Sequence, residues 1–169
     1  IKLKQRGDGD FTVYEKADSI GGTWRENRYP GLTCDVHSHA YTYSFAPWAE
    51  WDAYYATGTQ VNQYFNTVAD NYGVRPFIRF NNEVTACTFD EATAVWRLTL
   101  GSGEAVEADV VIAASGVLHV PKLPDIKGLD DFAGKAFHSA RWDDSAVVDG
   151  TNVGVIGCGS TGMQLITAL

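Results

Sequence analysis

The chain has 169 residues, 45% of them hydrophobic and 20% charged, which is the length of one ordinary domain with enough apolar mass for a core. Its formal net charge of -8 argues against a general nucleic-acid or membrane-surface binder, which is normally basic, while leaving room for a local basic pocket. No apolar run approaches membrane-span length and no secretory signal is visible; Cys34, Cys87 and Cys158 lack CxxC spacing, so reduced thiols in a cytoplasmic protein are expected rather than a disulfide or metal site.

In chain order, Ile1 and Leu3 among Lys2, Lys4 and Arg6 suit the last turns of a helix stopped by Gly7. A strand is expected over Phe11–Tyr14, ending in Glu15. Helix, tight turn and acid-terminated strand form the second half of a dinucleotide-binding βαβ unit. Next comes "GGTWRENRYPG", residues 21–31, which pairs glycines with a tryptophan, arginines and a Pro-Gly turn. Such a stretch suits close approach to something flat and anionic. Thr59 is expected to cap a helix with Val61, Tyr64, Phe65 and Val68 at helical spacing, ended by Gly73. Strands are expected over Ile78–Phe80, Glu83–Phe89, Val95–Leu100 and Ala105–Ala108. "ADVVIAASG" reads as a buried strand entering a small-residue turn at Ala114–Gly116, and "VPKLPDIKGL" as a crossing linker. Val153–Ile156 reads as a further strand, with a helix opening from Met163 to Leu169.

Between that last strand and helix, Gly157, Gly159 and Gly162 spell G-x-G-x-x-G. The first glycine allows the tight turn, the second lets backbone approach a pyrophosphate, and the third lets the helix pack on the strand. The helix amino end then offers N–H groups to the phosphates, with Ser160, Thr161 and Gln164 in the same expected site. An accidental Gly-rich turn is the simpler alternative, and the strand-turn-helix context weighs against it. Glu15 is expected to accept hydrogen bonds from ribose hydroxyls; an exposed strand-end glutamate is its plain alternative. The chain is thus expected to start after one nucleotide motif and to end just after another. It is expected to be an α/β chain of a two-dinucleotide-binding, Rossmann-like flavoprotein fold, truncated at both ends. A strand and a first GxGxxG are expected upstream of Ile1, and the residues that separate NADP from NAD beyond Leu169.

The run "VYEKADSIGGTWRENRYPGLTCDVHSHAYTYSF" resembles the FAD-binding region of class B flavoprotein monooxygenases, which use FAD, NADPH and O2. The resemblance implies that backbone at Gly21 and Gly22 passes close to the flavin, with Thr23 alongside. It implies that Trp24 and Tyr41 wall the ring, and that Asp35 is the active-site acid supporting a catalytic arginine. Val84, Ala114 and Gly116 fall in the implied FAD site, with Ser115 where the family usually has threonine. Core packing would account for Trp24 and Tyr41 singly, and a turn acid for Asp35, but not for the whole run.

"FAGKAFHSARW" places Phe132, Gly134, His138 and Trp142 as F-x-G-x-x-x-H-x-x-x-W, similar to the fingerprint of type I Baeyer–Villiger monooxygenases. Relatives that oxygenate nitrogen or sulfur usually end this run in Phe or Tyr, so Trp142 is the discriminating residue. His138 is implied to couple domain movement rather than to make bonds. The implied organisation is a partial FAD-binding domain over 1–120, an interdomain linker over 121–150 and the start of an NADPH-binding domain over 151–169. The implied reaction reduces FAD with NADPH, forms a C4a-peroxyflavin with O2, and converts a small-molecule ketone to an ester or lactone. The catalytic arginine and most of the substrate pocket are expected outside the chain, and no feature sets an oligomeric state. An N- or S-oxygenating flavin monooxygenase, a disulfide-reductase relative (which the missing CxxC disfavours) and a non-catalytic dinucleotide-binding module are the other readings.

Overall fold

Two residue patterns build much of the regular structure: a two-residue alternation within 96–100 and 105–108, and a three-to-four-residue spacing between 58 and 71. The structure, a computed structural model, describes residues 1–169. Its helices are α1 (Lys2–Gln5), α2 (Thr23–Glu26), α3 (Gly58–Asn71) and α4 (Ser160–Ala168). Its strands are β1 (Val13–Tyr14), β2 (Ile78–Arg79), β3 (Val84–Asp90), β4 (Val95–Leu100) and β5 (Ala105–Ala108), with 3-10 turns at Arg75–Phe77 and Ser139–Arg141. The chain divides into two units, one of Ile1–Ile20 with Asn66–Ser115, the other of Gly21–Phe65 with Gly116–Leu169. Residues 1–120 therefore contribute to both units, whereas 121–150 and 151–169 both fall in the second.

In the first unit, β1 and β2 pair in parallel, Val13 opposite Ile78 and Tyr14 opposite Arg79. The Glu15 N–H extends this ladder by donating to the Arg79 carbonyl at 3.0 Å. Strands β3, β4 and β5 form an antiparallel meander. Leu98 and Leu100 of β4 are buried while Arg97 and Thr99, which alternate with them, are exposed, as the pleat requires. Arg97 lies 3.3 Å from both Asp90 and Glu107 on the neighbouring strands. Phe11 stacks on Phe77 at 4.5 Å, and Lys4 Nζ donates to the Tyr72 and Gly73 carbonyls at 2.8 and 3.1 Å.

The second unit closes over Cys34, Ala56 and Val61, with Trp24, Tyr41, Trp51 and Phe65 packed around them. Tyr64 is fully buried; its hydroxyl donates to the Ala46 carbonyl at 2.9 Å and accepts the Tyr43 N–H at 2.7 Å. A buried phenol with both capacities used holds the 43–46 turn against α3.

Four expectations need correction. Thr59 does not cap α3. Thr57 does: its Oγ1 accepts the Gln60 N–H, and Gln60 Oε1 accepts the Thr57 N–H, each at 3.3 Å, a reciprocal pair three residues apart. The expected strand through "ADVVIAASG" is absent: residues 109–116 carry no strand pairing, and Val110 and Ile112 are 73% and 74% exposed. Val153–Ile156 is likewise unpaired, with Val153 and Ile156 exposed. An apolar run becomes a strand only where a neighbouring strand takes its N–H and C=O groups, and none does so here. The expected strand Phe11–Tyr14 is regular only at Val13–Tyr14, because β2 offers two partner residues.

Candidate dinucleotide and acid site

Helix α4 begins within the Gly157–Gly162 motif. Gly159 is its N-cap in an extended conformation, and no side chain caps it. Gly157 has φ +124, and a Cβ at Gly157 or Gly159 would meet nothing within 4 Å. Gly162 is different: a Cβ there would fall 2.5 Å from the Gly157 carbonyl oxygen, so only glycine lets the helix sit this close to its own turn. The motif therefore has one packed glycine and two with open space.

Three side chains of α4 turn to a loop of the same unit. Ser160 Oγ donates to Asp35 Oδ2 at 2.7 Å. One turn on, Gln164 Nε2 donates to the Thr33 carbonyl at 2.9 Å and to Thr33 Oγ1 at 3.1 Å. Gln164 Oε1 accepts the Tyr29 hydroxyl at 2.9 Å, and that hydroxyl lies 3.3 Å from Thr161 Oγ1. Tyr29 is buried. Gly31, at φ +78, lies so close to the helix that a Cβ would be 2.7 Å from the Gln164 carbonyl oxygen and 2.8 Å from Ala168 Cβ. The "RYPGLTCD" segment is thus laid along one helix face, with Thr161 and Gln164 directing their side chains at the loop. The loop that follows Pro30-Gly31 brings Asp35 to Ser160, the first residue of α4. Sequence reasoning missed Tyr29 and Thr33, whose partners lie more than 130 residues away.

The glycines before α2 are unlike each other. A Cβ at Gly21 would collide with Asn62 and Arg25, while Gly22, the α2 N-cap at φ +49, faces open space. Thr23 opens α2 and its carbonyl accepts from Asn27 Nδ2 at 2.9 Å. Trp24 and Tyr41 are brought together: Trp24 Nε1 donates to the Tyr41 hydroxyl at 3.0 Å, and the rings meet edge to face at 5.5 Å. Behind this pair lies Cys34, whose thiol pKa is pushed up by burial.

The first unit holds Glu15, Val84 and Ala114. Half-buried Glu15 follows β1, and its Oε1 accepts the Ala17 N–H at 2.9 Å. Val84 starts β3 opposite Leu100, beside an irregularity in the pairing before Ala86. Ala114 is exposed in the unpaired run. Gly116, in the second unit, has φ +75 and open space around it.

The 132–142 run is built from local contacts. The Phe132 ring lies over Gly134, where a Cβ would come within 2.6 Å of it. His138 caps the 3-10 turn, its Nδ1 accepting the Ala140 N–H at 3.0 Å. With Nδ1 accepting, Nε2 is the ring nitrogen left to carry a proton. Trp142 closes the turn and meets Phe137 edge to face at 5.2 Å. Lys135 Nζ lies 2.7 Å from Asp143 Oδ2 and donates to Ser145 Oγ at 2.7 Å. The lysine and Ser145 hold the Asp143 carboxyl down to about 2.

This chain is similar to an uncharacterised monooxygenase of Mycobacterium tuberculosis, 48% identical over 157 residues, which cover 93% of this chain and 31% of that protein. It is 44% identical over 169 residues to a Baeyer–Villiger monooxygenase of Streptomyces coelicolor, covering all of this chain and 32% of that one. Among solved structures, cyclohexanone monooxygenase from Rhodococcus sp. Phi1 bound to NADP+ superposes with a TM-score of 0.86 at 38% identity, over 99% of this chain and 32% of that protein. The chain thus spans about a third of the length of the relatives it matches, and it shares their flavoprotein dinucleotide-binding fold. The flavin-binding monooxygenase-like family model matches residues 4–169, and the chain belongs to that family.

Proposed function

We propose that the protein binds FAD and NADPH and inserts one oxygen atom of O2 beside the carbonyl of a small-molecule ketone, giving an ester or lactone. The observation that carries this reading is the hydrogen bond from Ser160 to Asp35. It sets an acid one bond away from the first residue of the helix that follows the glycine turn.

The residues fit both groups. Open space at Gly157 and Gly159 and an α4 amino end free of any side-chain cap suit a pyrophosphate. Open space at Gly22 beside the Trp24–Tyr41 pair suits a flat ring system. When bound, NADPH supplies hydride and FAD the oxygen chemistry. The chain's own residues then have separate tasks. Gly157, Gly159, Ser160, Thr161 and Gly162 hold phosphate through backbone N–H groups, since the Thr161 and Gln164 side chains already serve the loop. Glu15 accepts from ribose hydroxyls, while Val84, Ala114 and Gly116 flank FAD with little side-chain bulk or a flexible backbone. The Trp24–Tyr41 pair excludes water from the flavin ring. Asp35 holds an arginine guanidinium in place for the negative charge that develops at the reacting oxygen. His138 ties the 132–142 run together through its cap and keeps Nε2 for a partner elsewhere in the protein. Trp142 at the end of that run, and the names carried by the relatives, favour a ketone over an amine or sulfide. The domain boundaries near 120 and 150 belong to the same proposal.

The complete reading frame, expressed and purified, is expected to be yellow and to consume NADPH faster when ketones are added. Colourless protein that takes up no added FAD would contradict the cofactor reading. Oxidation of sulfides or amines with no ketone turned over would contradict the substrate assignment alone.

A further inference from the structure

The loop that ends in Asp35 is held at four points. The Asp35 carboxylate accepts from Ser160, Thr33 is held by Gln164, Gly31 touches Gln164 and Ala168, and Tyr29 bonds Gln164. Ser160, Gln164 and Ala168 are spaced i, i+4 and i+8, so they form one stripe along α4. From 35 back to 31 the loop runs antiparallel to that stripe, residue 35 meeting 160, residue 33 meeting 164 and residue 31 meeting 164 and 168, and the Tyr29 side chain then reaches back to 161 and 164. Gln164 is the centre of the register because its amide uses donor and acceptor at once, on a buried tyrosine and on the loop backbone. An amide so placed cannot be exchanged for a hydrocarbon without leaving the Tyr29 hydroxyl and the Thr33 carbonyl short of a partner.

We infer that Gln164 and Tyr29 are positioning residues that register the Asp35 loop to helix α4, so that binding at the glycine turn is transmitted to the acid. This rests on reading Gly157–Gly162 as a dinucleotide site. Gly157 and Gly159 lie before the stripe and take no part in it. The Gln164 side chain, expected from the sequence to face the dinucleotide, is instead taken up by Tyr29 and Thr33, so its loss should uncouple the loop far more than it weakens dinucleotide binding.

The test is hydrogen exchange with mass-spectrometric readout on the full-length FAD-loaded protein, comparing wild type, Gln164→Leu and Tyr29→Phe, each with and without NADP+. Leu32 and Cys34 report the loop, since their N–H groups donate to the Tyr29 and Ala56 carbonyls at 3.3 and 2.8 Å. Without NADP+, Gln164→Leu should speed exchange in 29–35 about tenfold, and Tyr29→Phe, which keeps the ring volume, by a few-fold. With NADP+, wild type should gain protection in both α4 and 29–35; Gln164→Leu should gain it in α4 only. In steady state the same variant should lower kcat severalfold, with KM for NADPH changed less than about threefold. Exchange in 29–35 within twofold of wild type in the ligand-free Gln164→Leu protein overturns the inference. So does NADP+ protection of the loop that survives the substitution. If NADP+ fails to protect α4 in wild type, the dinucleotide reading fails instead, and the ligand-free comparison still decides the register.

Discussion

Gly31→Ala probes the closest approach in the candidate site. Gly31 sits at φ +78, where an L side chain is strained by about 1–2 kcal/mol. The new methyl would also stand 2.7 Å from the Gln164 carbonyl oxygen and 2.8 Å from Ala168 Cβ. One of these is helix backbone, which cannot swing aside as a flexible side-chain tip can. Overpacking of this kind costs a further ~1–3 kcal/mol, so the total should be about 2–5 kcal/mol. Gly128→Ala is the internal control: Gly128 has φ +85 but no atom within 4 Å of its ideal Cβ, so it bears only the backbone strain. Urea unfolding of the two variants beside wild type, followed by tryptophan fluorescence, isolates the packing contribution as their difference. That difference should be about 1–3 kcal/mol. If Gly31→Ala is no less stable than Gly128→Ala, the loop does not lie on α4 as described.

Tyr64→Phe removes a hydroxyl that serves the Tyr43 N–H and the Ala46 carbonyl, and it should lower unfolding free energy by about 1–3 kcal/mol in the same assay. Thiol labelling under native conditions should modify exposed Cys87 and Cys158 and spare buried Cys34, whose thiolate is disfavoured by burial; equal labelling of all three would refute that packing. Asp143 is held down to about 2 by Lys135 and Ser145. Because its folded pKa is lowered, its contribution to stability is complete above the usual carboxylate range and is lost as pH falls from about 4 toward 2. In Lys135→Met the Asp143 carboxyl midpoint, read by NMR, should rise toward the ordinary aspartate value, and an unchanged midpoint would contradict the pairing.

Legibility in the sequence followed the range of the interactions. The β3–β5 meander was readable because alternation and turns are local: Val95–Leu100 and Ala105–Ala108 stand as expected. Glycine chemistry was readable where the partner is near, as with Gly162 against Gly157. Apolarity misled at Val110–Ile112 and Val153–Ile156, since a buried-strand pattern states an appetite for partners and not their presence. The α3 cap was displaced by two residues because Thr57 and Thr59 are both good caps, and the Gln60 that completes the reciprocal pair selects Thr57. Trp24 and Tyr41 were picked out together as walls of a ring site, but their mutual hydrogen bond was not foreseen. The hold of Gln164 on Tyr29 and Thr33 could be signalled only by pairing residues far apart in the chain, although the tyrosine before Pro30-Gly31 and the glutamine after Gly162 were both in view.

The central claim is that this chain belongs to a protein that moves one oxygen atom from O2 to a ketone. Its most direct test supplies the purified full-length protein with FAD, NADPH, 18O2 and a panel of cyclic and linear ketones, and analyses products by mass spectrometry. The expected result is an ester or lactone carrying a single 18O atom, formed only when NADPH is present. NADPH consumption without labelled ester from any ketone, or an ester whose new oxygen comes from water, would contradict the account.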